Sequence, residues 1–344
     1  MGAIQHKNAE TSNSANPLDI LQDQMATDMD AVNQMIMTHM QSDVPLIPQL
    51  ASYLIAAGGK RIRPLLTLSC TALFEGDTLK DNMTRAHRLA ACVEFIHTAT
   101  LLHDDVVDDS DERRGKKSAH MIFGNEASVL VGDFLFSRAF QLMVADGNLD
   151  VLKILSDASA IIAEGEVLQL SAQNNIETTM DEYKKVIQGK TASLFAAACE
   201  VGPVIAGQDE ATVKALRDYG MNLGMAFQII DDVLDYSATQ EKLGKAVGDD
   251  FKEGKMTAPV LFAVENADAI QKEFWQRTLG DKNQTEDDLA TAKNIITQTK
   301  ALEKGMDLAR HYGDNAIQNL STLPSSTLKP VSYTHLTLPT TPYV

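Results

Sequence analysis

The chain has 344 residues, 44% of them apolar, and its 47 acidic against 30 basic residues give a formal net charge of −17. An apolar share this large supplies a sizeable core, so a disordered chain is excluded. The acidic balance argues against nucleic acid as a partner, because duplex binding needs surplus Lys and Arg to neutralise phosphates.

The three cysteines, Cys70, Cys92 and Cys199, are widely spaced and lack metal-ligand spacing. They are typical of reduced, buried thiols. The polar start has no apolar segment of a secretory signal, and no uncharged apolar run approaches the roughly 18 residues of a membrane span. We therefore expect a cytoplasmic protein with at most peripheral membrane contact.

Proline placement favours long helices, because only Pro203 and Pro259 fall between Pro64 and Pro324. Apolar residues recur with helical periodicity, and strand patterns are nearly missing. In chain order we predict helices over 18–42, 48–57, 63–75, 82–108, 126–146, 149–172, 180–206, 209–236, 256–267 and 298–320. The pattern predicts an all-α fold, a single large domain of long, mostly antiparallel helices around a central cavity.

Three stretches lack this pattern. We expect a flexible N-terminus over 1–17 and coil around Asn283. Residues 331–344 contain four Thr and two Pro but no acidic residue, Lys or Arg. That composition favours a non-native or disordered tail, the alternative being a native flexible C-terminus. We therefore place the domain over 1–330.

The first acidic cluster lies in LLHDDVVDDSDERRG, residues 101–115. Asp104 and Asp108 are four residues apart and share one helical face, with Asp105 at its edge. Like charges at this spacing repel, so the pair indicates a bound cation. Carboxylate oxygens suit Mg²⁺, and the adjacent Arg113 and Arg114 can bind phosphate.

A second cluster follows in FQIIDDVLDY, residues 227–236. Asp231 and Asp235 share a face, with Asp232 beside them and Gln228 one turn earlier. One such cluster is equally well explained as a solvated helix end, but two that each close a long apolar helix favour metal binding. An EF-hand is excluded, because neither cluster has the required Gly at loop position six and Glu at twelve.

Basic residues accompany both clusters. Lys60 and Arg63 begin a helix after a Gly-Gly pair, where anions are favoured. Lys190 and Thr191 lie inside an apolar helix, where an unpaired lysine is costly. Each basic residue alone, Lys245 and Lys255 included, also fits a surface role. Acids for metal and cations for phosphate together indicate a diphosphate site, without a Walker loop or a catalytic Ser/His/Asp set.

His97 lies two turns before Asp104 on the same face. A lone histidine there is more often a core residue, and His103 beside the acids fits a structural role.

With these motifs in place, the chain resembles the trans-prenyl diphosphate synthases, or polyprenyl synthetase family, and most of all their bacterial long-chain, octaprenyl- and decaprenyl-type members, which make quinone side chains. The resemblance covers residues 45–265, with GGKRIRP, LLHDDVVDDSDERRG, VLVGDFLFSRAF, GKTASLF and FQIIDDVLDY in the family's order. It implies the isoprenoid synthase fold, a homodimer, and Mg²⁺ as cofactor, with three ions when substrate is bound. The substrates it implies are isopentenyl diphosphate and an allylic diphosphate of farnesyl or geranyl type.

The resemblance also assigns roles by motif match. Catalytic roles fall to Lys190 and the two aspartate triplets, Asp104, Asp105 and Asp108, and Asp231, Asp232 and Asp235. Within them, it implies Asp104, Asp108, Asp231 and Asp235 as metal ligands. The isopentenyl diphosphate site would comprise Lys60, Arg63, His97 and Arg114. The allylic diphosphate site would comprise Arg113, Lys190, Thr191, Gln228, Lys245 and Lys255.

In this family, diphosphate leaves the allylic carbon as a carbocation forms, and the double bond of isopentenyl diphosphate attacks that cation. Short-chain members carry a bulky residue four or five positions before the first cluster, where this chain has Thr100 and Ala99, with Ile96 a turn further. We therefore expect a long product of about eight to ten isoprene units, growing along the helix. Phe134, Phe136 or Phe140 could form a deeper floor.

Two features depart from the family pattern. Lys117 stands where proline is common, and the usual final helix after about Pro324 is missing or replaced, which puts full activity in doubt.

Three other functions compete with this interpretation. A class I terpene cyclase uses the same ionisation, but its second metal motif typically mixes Asn, Ser or Thr with Glu. A non-catalytic partner subunit of a heteromeric synthase usually loses one aspartate motif, whereas this chain retains both. A metal-dependent phosphohydrolase would need a spaced His/Asp metal set.

Overall fold

The computed structural model describes residues 17–56, 58–74, 76, 78–113, 115–237, 248–321 and 323. The predicted ends at 1–16 and 331–344, Arg114, Lys245 and any helix after Pro324 lie outside these residues. The described helices are α1 Pro17–Gln24, α2 Ala26–His39, α3 Leu46–Ala56, α4 Ile62–Ala72, α5 Leu79–Val107, α6 Ala119–Phe123, α7 Asn125–Asp146, α8 Leu149–Ala172, α9 Met180–Ile187, α10 Ser193–Ile205, α11 Glu210–Ser237, α12 Asp249–Lys252, α13 Ala258–Glu265, α14 Ala269–Trp275, α15 Asp288–Gln298 and α16 Ala301–Leu320.

Two π-helical turns, Gln188–Ala192 and Gln276–Gly280, follow α9 and α14. Strands β1 Glu112–Arg113 and β2 Lys116–Lys117 form a two-stranded antiparallel hairpin, with Glu112 opposite Lys117. Lys117 occurs in this strand with its side chain exposed, and its carbonyl accepts a hydrogen bond from the Tyr53 hydroxyl. The all-α prediction is thus confirmed.

The long predicted helices are present, and the differences occur in short elements. The segment predicted over 18–42 divides at Met25 into α1 and α2. The sequence prediction missed the hairpin and four helices, α6, α12, α14 and α15. The first three have only four to seven residues, too few to show a sustained period, and α15 directly follows the polar stretch that was predicted as coil. Coil around Asn283 is found, but it ends where α15 begins at Asp288.

Two apolar clusters form the core. The larger joins α4, α5, α7 and α10 around Phe95 and Phe195, and the smaller surrounds Trp275 and Phe251. The three cysteines are free and buried, as predicted. The alanine-rich α10 is almost entirely buried, so its neighbours can pack against it from several directions.

Glycines bring three elements close together next to the acidic clusters. A Cβ added at Gly220 would lie 2.5 Å from the carbonyl oxygen of Phe195, and one at Gly224 would lie 2.6 Å from the Cα of Ala192. A Cβ added at Gly165 would lie 2.6 Å from the backbone nitrogen of Lys190. Because only glycine permits such approaches, α8 and α11 both press against the turn that carries Lys190.

The helix α7 is long and apolar enough to cross a membrane by length and composition alone. Of its most apolar window, 44% is buried inside the protein, and the core helix of a soluble protein passes the same test.

Candidate active site

A cavity of about 350 Å³ lies among α4, α5, α8, α9 and α11. Its wall carries both predicted kinds of group. The acids on it include Asp104, Asp108, Asp231, Asp232, Asp249 and Asp250, and the cations include Lys60, Arg63, Arg113, Lys190 and Lys255. Sequence segments more than a hundred residues apart therefore meet at one site.

The first cluster is paired with lysines across the cavity. Asp104, near the end of α5, lies 3.1 Å from the Nζ of Lys190. Asp108, one turn later, accepts a hydrogen bond of 2.8 Å from the Nζ of Lys255. Burial alone would lower the pKa of Lys255, but the carboxylates of Asp250 and Asp108 raise it above its usual value. Lys255 therefore stays charged beside the acids.

Asp105 lies off the cavity wall, unlike Asp104 and Asp108. Its carboxylate is buried and accepts hydrogen bonds from Arg113, at 2.8 Å from Nε and with Nη2 at 2.6 Å. Arg113 lies on the cavity wall, whereas Asp105 does not. Asp105 thus holds the arginine of the hairpin toward the cavity.

The second cluster divides in the same way. Asp231 is on the wall, whereas Asp235 is fully buried off it and accepts a hydrogen bond of 3.3 Å from the backbone nitrogen of Asp250. The expected role of Asp235 as a metal ligand stays a prediction, since its carboxylate lies off the cavity wall here. The reason is local: the Gly248–Asp250 segment, whose Gly248 nitrogen donates to the Asp235 carbonyl, packs against this end of α11.

Asp232 is the centre of a buried hydrogen-bond chain. The Tyr183 hydroxyl donates to its Oδ2 at 2.6 Å, and the Gln228 amide donates to its Oδ1 at 2.8 Å. Thr191 Oγ1 donates to Gln228 Oε1 at 2.7 Å, which extends the chain to the π-helical turn. Burial and the Asp250 carboxylate raise the pKa of Asp232. The chain fixes the Gln228 amide and Thr191 relative to α11.

Lys190 projects from the π-helical turn between two carboxylates. Its Nζ donates to Glu166 Oε2 of α8 at 2.7 Å, in addition to its contact with Asp104. Burial, with the Asp104 charge, raises the pKa of Glu166 to about 7, and Lys190 opposes the rise. Glu166 was not predicted as a site residue.

Lys60, Arg63 and His97 lie on another part of the wall, as the resemblance implies for one substrate site. Arg61 between the two cations has a φ of 48° and forms an ion pair of 3.0 Å with Glu94 of α5. Its left-handed backbone turns the chain into α4, so the Arg61–Glu94 pair fixes the start of this basic segment.

One part of the cavity wall is largely apolar. Thr100, Leu101, Phe195 and Phe227 line it, and the two phenylalanine rings lie 5.4 Å apart. Ala99 and Ile96 are fully buried off this wall, so their role in limiting product length stays a prediction. Among the possible floor residues, Phe140 is exposed.

The family model described as polyprenyl synthetase matches residues 44–296. The chain belongs to the polyprenyl synthetase family.

Relatives and solved structures of this family align along nearly the whole chain. Octaprenyl diphosphate synthase of Haemophilus influenzae is 46% identical over 316 residues, 91% of this chain and 93% of that protein. A polyprenyl synthase of Caulobacter crescentus, solved with calcium and isoprenyl diphosphate, has a TM-score of 0.89 at 49% identity and covers 95% of this chain and 98% of its own. A decaprenyl diphosphate synthase of Rhodobacter capsulatus has a TM-score of 0.87 at 48% identity, covering 93% and 97%. The fold is that of the polyprenyl synthases, as expected.

The donor chemistry of this polyprenyl synthetase suits Mg²⁺, because the groups that face the cavity from both clusters are carboxylate oxygens. Within the described ranges, no three His, Cys, Asp or Glu side chains already stand together at metal-binding distances. The reason is visible in the contacts: Asp104 and Asp108 each have a lysine as counter-ion. A divalent ion would replace these lysines as the partner of the acids.

Sequence reasoning missed Glu166, Tyr183 and the Arg61–Glu94 pair. A signal for Glu166 was available in the sequence: Glu166 and Gln169 on α8, and Gln173 directly after it, recur at helical spacing, and all three line the cavity. A polar stripe along an otherwise apolar helix indicates that this face lines a polar, solvent-accessible cavity. Tyr183 and Glu94 carry no such pattern, because their roles depend on partners distant in sequence.

Proposed function

We propose that this polyprenyl synthetase is a Mg²⁺-dependent trans-prenyltransferase that adds isopentenyl diphosphate to an allylic diphosphate of farnesyl or geranyl type. Its product is a long-chain all-trans polyprenyl diphosphate, a precursor of quinone side chains. One observation carries the proposal: Asp104, Asp108 and Asp231 share a cavity with Lys190 and Lys255, beside an apolar wall. This is the inventory that ionisation of an allylic diphosphate needs.

Two groups of cations divide the substrates. Lys60, Arg63 and His97, with Arg114, hold isopentenyl diphosphate. The allylic diphosphate is bound by Arg113, Lys190, Thr191, Gln228 and Lys255, together with Lys245. The described cations come from different elements: Lys60, Arg63 and His97 from α4, the segment just before it and α5, and the others from β1, the π-helical turn and the segment before α13. This supports the division, because a condensation needs one diphosphate to leave and the other to stay bound.

The metal site would consist of Asp104 and Asp108 on one side and Asp231 and Asp235 on the other, and would hold three Mg²⁺ ions when substrate is present. Bound Mg²⁺ supplies positive charge to the oxygens of the leaving diphosphate. Asp105 positions Arg113, Asp232 positions Gln228, and Asp235 holds the segment that leads to Asp250.

The reaction needs positive charge beside the leaving diphosphate and a cavity that excludes water from the allylic cation. Negative charge accumulates on the departing diphosphate, and the ammonium groups of Lys190 and Lys255 stabilise it. The apolar side chains of Leu101, Phe195 and Phe227 exclude water, which would otherwise quench the allylic cation.

A homodimer is supported by an apolar surface. Seventeen large apolar side chains are exposed among the described residues, and eleven of them lie between Met121 and Leu170 on α6, α7 and α8. A monomer seldom exposes so many large apolar side chains on neighbouring helices, and Leu130 and Val144 are about two-thirds exposed. We propose that a second copy covers this face. A change of Leu130→Asp should then shift the mass measured by light scattering from dimer to monomer, and an unchanged mass would contradict it.

We also propose a cytoplasmic location, with at most peripheral membrane contact for product release, and one domain over 1–330. The experiment that tests the proposed function incubates the protein with labelled isopentenyl diphosphate and farnesyl or geranyl diphosphate, and then sizes the products. We expect products of about eight to ten isoprene units, which grow along α5 from the first aspartate cluster. Cyclised hydrocarbons would favour a terpene cyclase, and no product would favour a non-catalytic subunit.

A further inference from the structure

Lys190 has two carboxylate partners on the cavity wall, and the closer one does not belong to an aspartate cluster. Its Nζ lies 2.7 Å from Glu166 Oε2 and 3.1 Å from Asp104 Oδ2. The Glu166 side chain is 26% exposed and that of Lys190 is 21% exposed, so this ion pair is largely removed from water. Less water around the two charges means weaker screening of their attraction than at an exposed pair.

The backbone enforces the pairing. Gly165 of α8 meets the π-helical turn so closely that an added Cβ would lie 2.6 Å from the Lys190 nitrogen and 2.9 Å from the Gly189 carbonyl carbon. Glu166 follows Gly165 directly, so the contact that brings the two elements together also sets the carboxylate beside the ammonium group. Glu166 is thus a fixed partner of Lys190.

A diphosphate group that binds Lys190 must compete with this carboxylate. A long-chain product requires many successive additions, each of which breaks one C–O bond and leaves inorganic diphosphate in the cavity. That diphosphate must depart before the next allylic diphosphate can occupy the same cations. A nearby carboxylate that reclaims the ammonium group weakens the hold on the departing anion.

We propose that Glu166 is a positioning residue that competes with diphosphate for Lys190 and so promotes release of inorganic diphosphate between successive additions. The inference rests on the proposed function, because it takes Lys190 as a diphosphate ligand. Glu166 forms no covalent bond and transfers no proton in this role. Lys190 pairs either with the Glu166 carboxylate or with diphosphate.

The test compares Glu166→Gln with the wild type by titrating inorganic diphosphate in a calorimeter and by measuring its inhibition constant in the elongation assay. Because a neutral amide competes with diphosphate for Lys190 less strongly than the carboxylate does, we expect binding to tighten roughly three- to tenfold. Turnover should slow, because release of diphosphate is delayed. A residue with only a structural role would instead weaken binding when replaced.

The matched control is Asp157→Asn, which removes the acid of a Lys–Asp pair on the same helix where both side chains are exposed, 73% for Lys153 and 54% for Asp157. It should bind diphosphate as the wild type does. In a Lys190→Met background, Glu166→Gln should have less than about a twofold effect, because the two changes act through one contact.

Unchanged or weaker diphosphate binding in Glu166→Gln would overturn the inference, as would equal tightening in the Lys190→Met background. Failure of the proposed function would look different, since the wild type would then make no elongated product while its diphosphate binding could still be measured.

Discussion

The Tyr183–Asp232 hydrogen bond permits a quantitative test of how the second cluster is held. Both groups are buried, and the Tyr183 hydroxyl donates to Asp232 Oδ2 at 2.6 Å. Among the side chains that the structure describes, the Gln228 amide is then the one hydrogen-bond donor left to this carboxylate in Tyr183→Phe. Removal of one partner from a buried polar group costs about 1–3 kcal/mol in the free energy of unfolding.

The chain offers an internal control for this change. Tyr219 is equally buried, but within the described part of the chain its hydroxyl has no hydrogen-bond partner. Tyr219→Phe deletes the same atom without breaking a bond, so its stability should stay unchanged or rise slightly. The free energy of unfolding should therefore fall in Tyr183→Phe but not in Tyr219→Phe.

Calorimetric melting at one protein concentration measures both variants. For a chain of this length, the loss in Tyr183→Phe corresponds to a melting temperature roughly 1–4 °C below the wild type. Turnover should also fall, because Gln228 and Thr191 lose their fixed orientation. Equal melting temperatures for the two variants, or a larger loss in Tyr219→Phe, would refute the assignment of the hydrogen-bond chain.

Three further outcomes follow from single contacts. Hydrogen bonds from Arg277 hold the pKa of Asp288 well below its usual range, so its stabilising effect is present at neutral pH and is lost as pH falls through that lowered pKa. Asp288→Asn should accordingly be less stable than the wild type in urea at pH 7, with a gap that narrows in acid. Gly165→Ala should displace the turn that carries Lys190, costing about 1–3 kcal/mol of stability by overpacking and lowering turnover in the same assay. Thr100→Phe should shorten the product seen by chromatography, because Thr100 lines the cavity wall.

The periodicity of the sequence predicted the long helices and the residues that share one face of each. The 3.6-residue pattern and the absence of internal proline placed α5, α7, α8 and α11 within a few residues of their observed ends. Spacing likewise placed Asp104 and Asp108 on one face, and the structure puts both on the cavity wall. Such patterns are local, so a sequence can show them.

Which face of a helix meets the cavity, and which distant residues contact it, cannot be predicted from local sequence. Asp231 and Asp235 have the same spacing as the first pair, yet the segment from Gly248 to Asp250 covers Asp235 and leaves Asp231 at the cavity. Glu166 gains its role from the close approach at Gly165, which depends on how α8 meets the π-helical turn. These features arise from packing between elements distant in sequence.

The assignment of the two aspartate clusters as the metal and diphosphate site is tested most directly by the incorporation of labelled isopentenyl diphosphate with Mg²⁺. Asp104→Ala and Asp231→Ala should each lose on the order of a hundredfold or more in rate, since each removes charge stabilisation of the leaving group. Circular dichroism should show the same helical content in both, and Asp157→Asn should retain full activity. Turnover at the wild-type rate in both alanine variants would contradict the account.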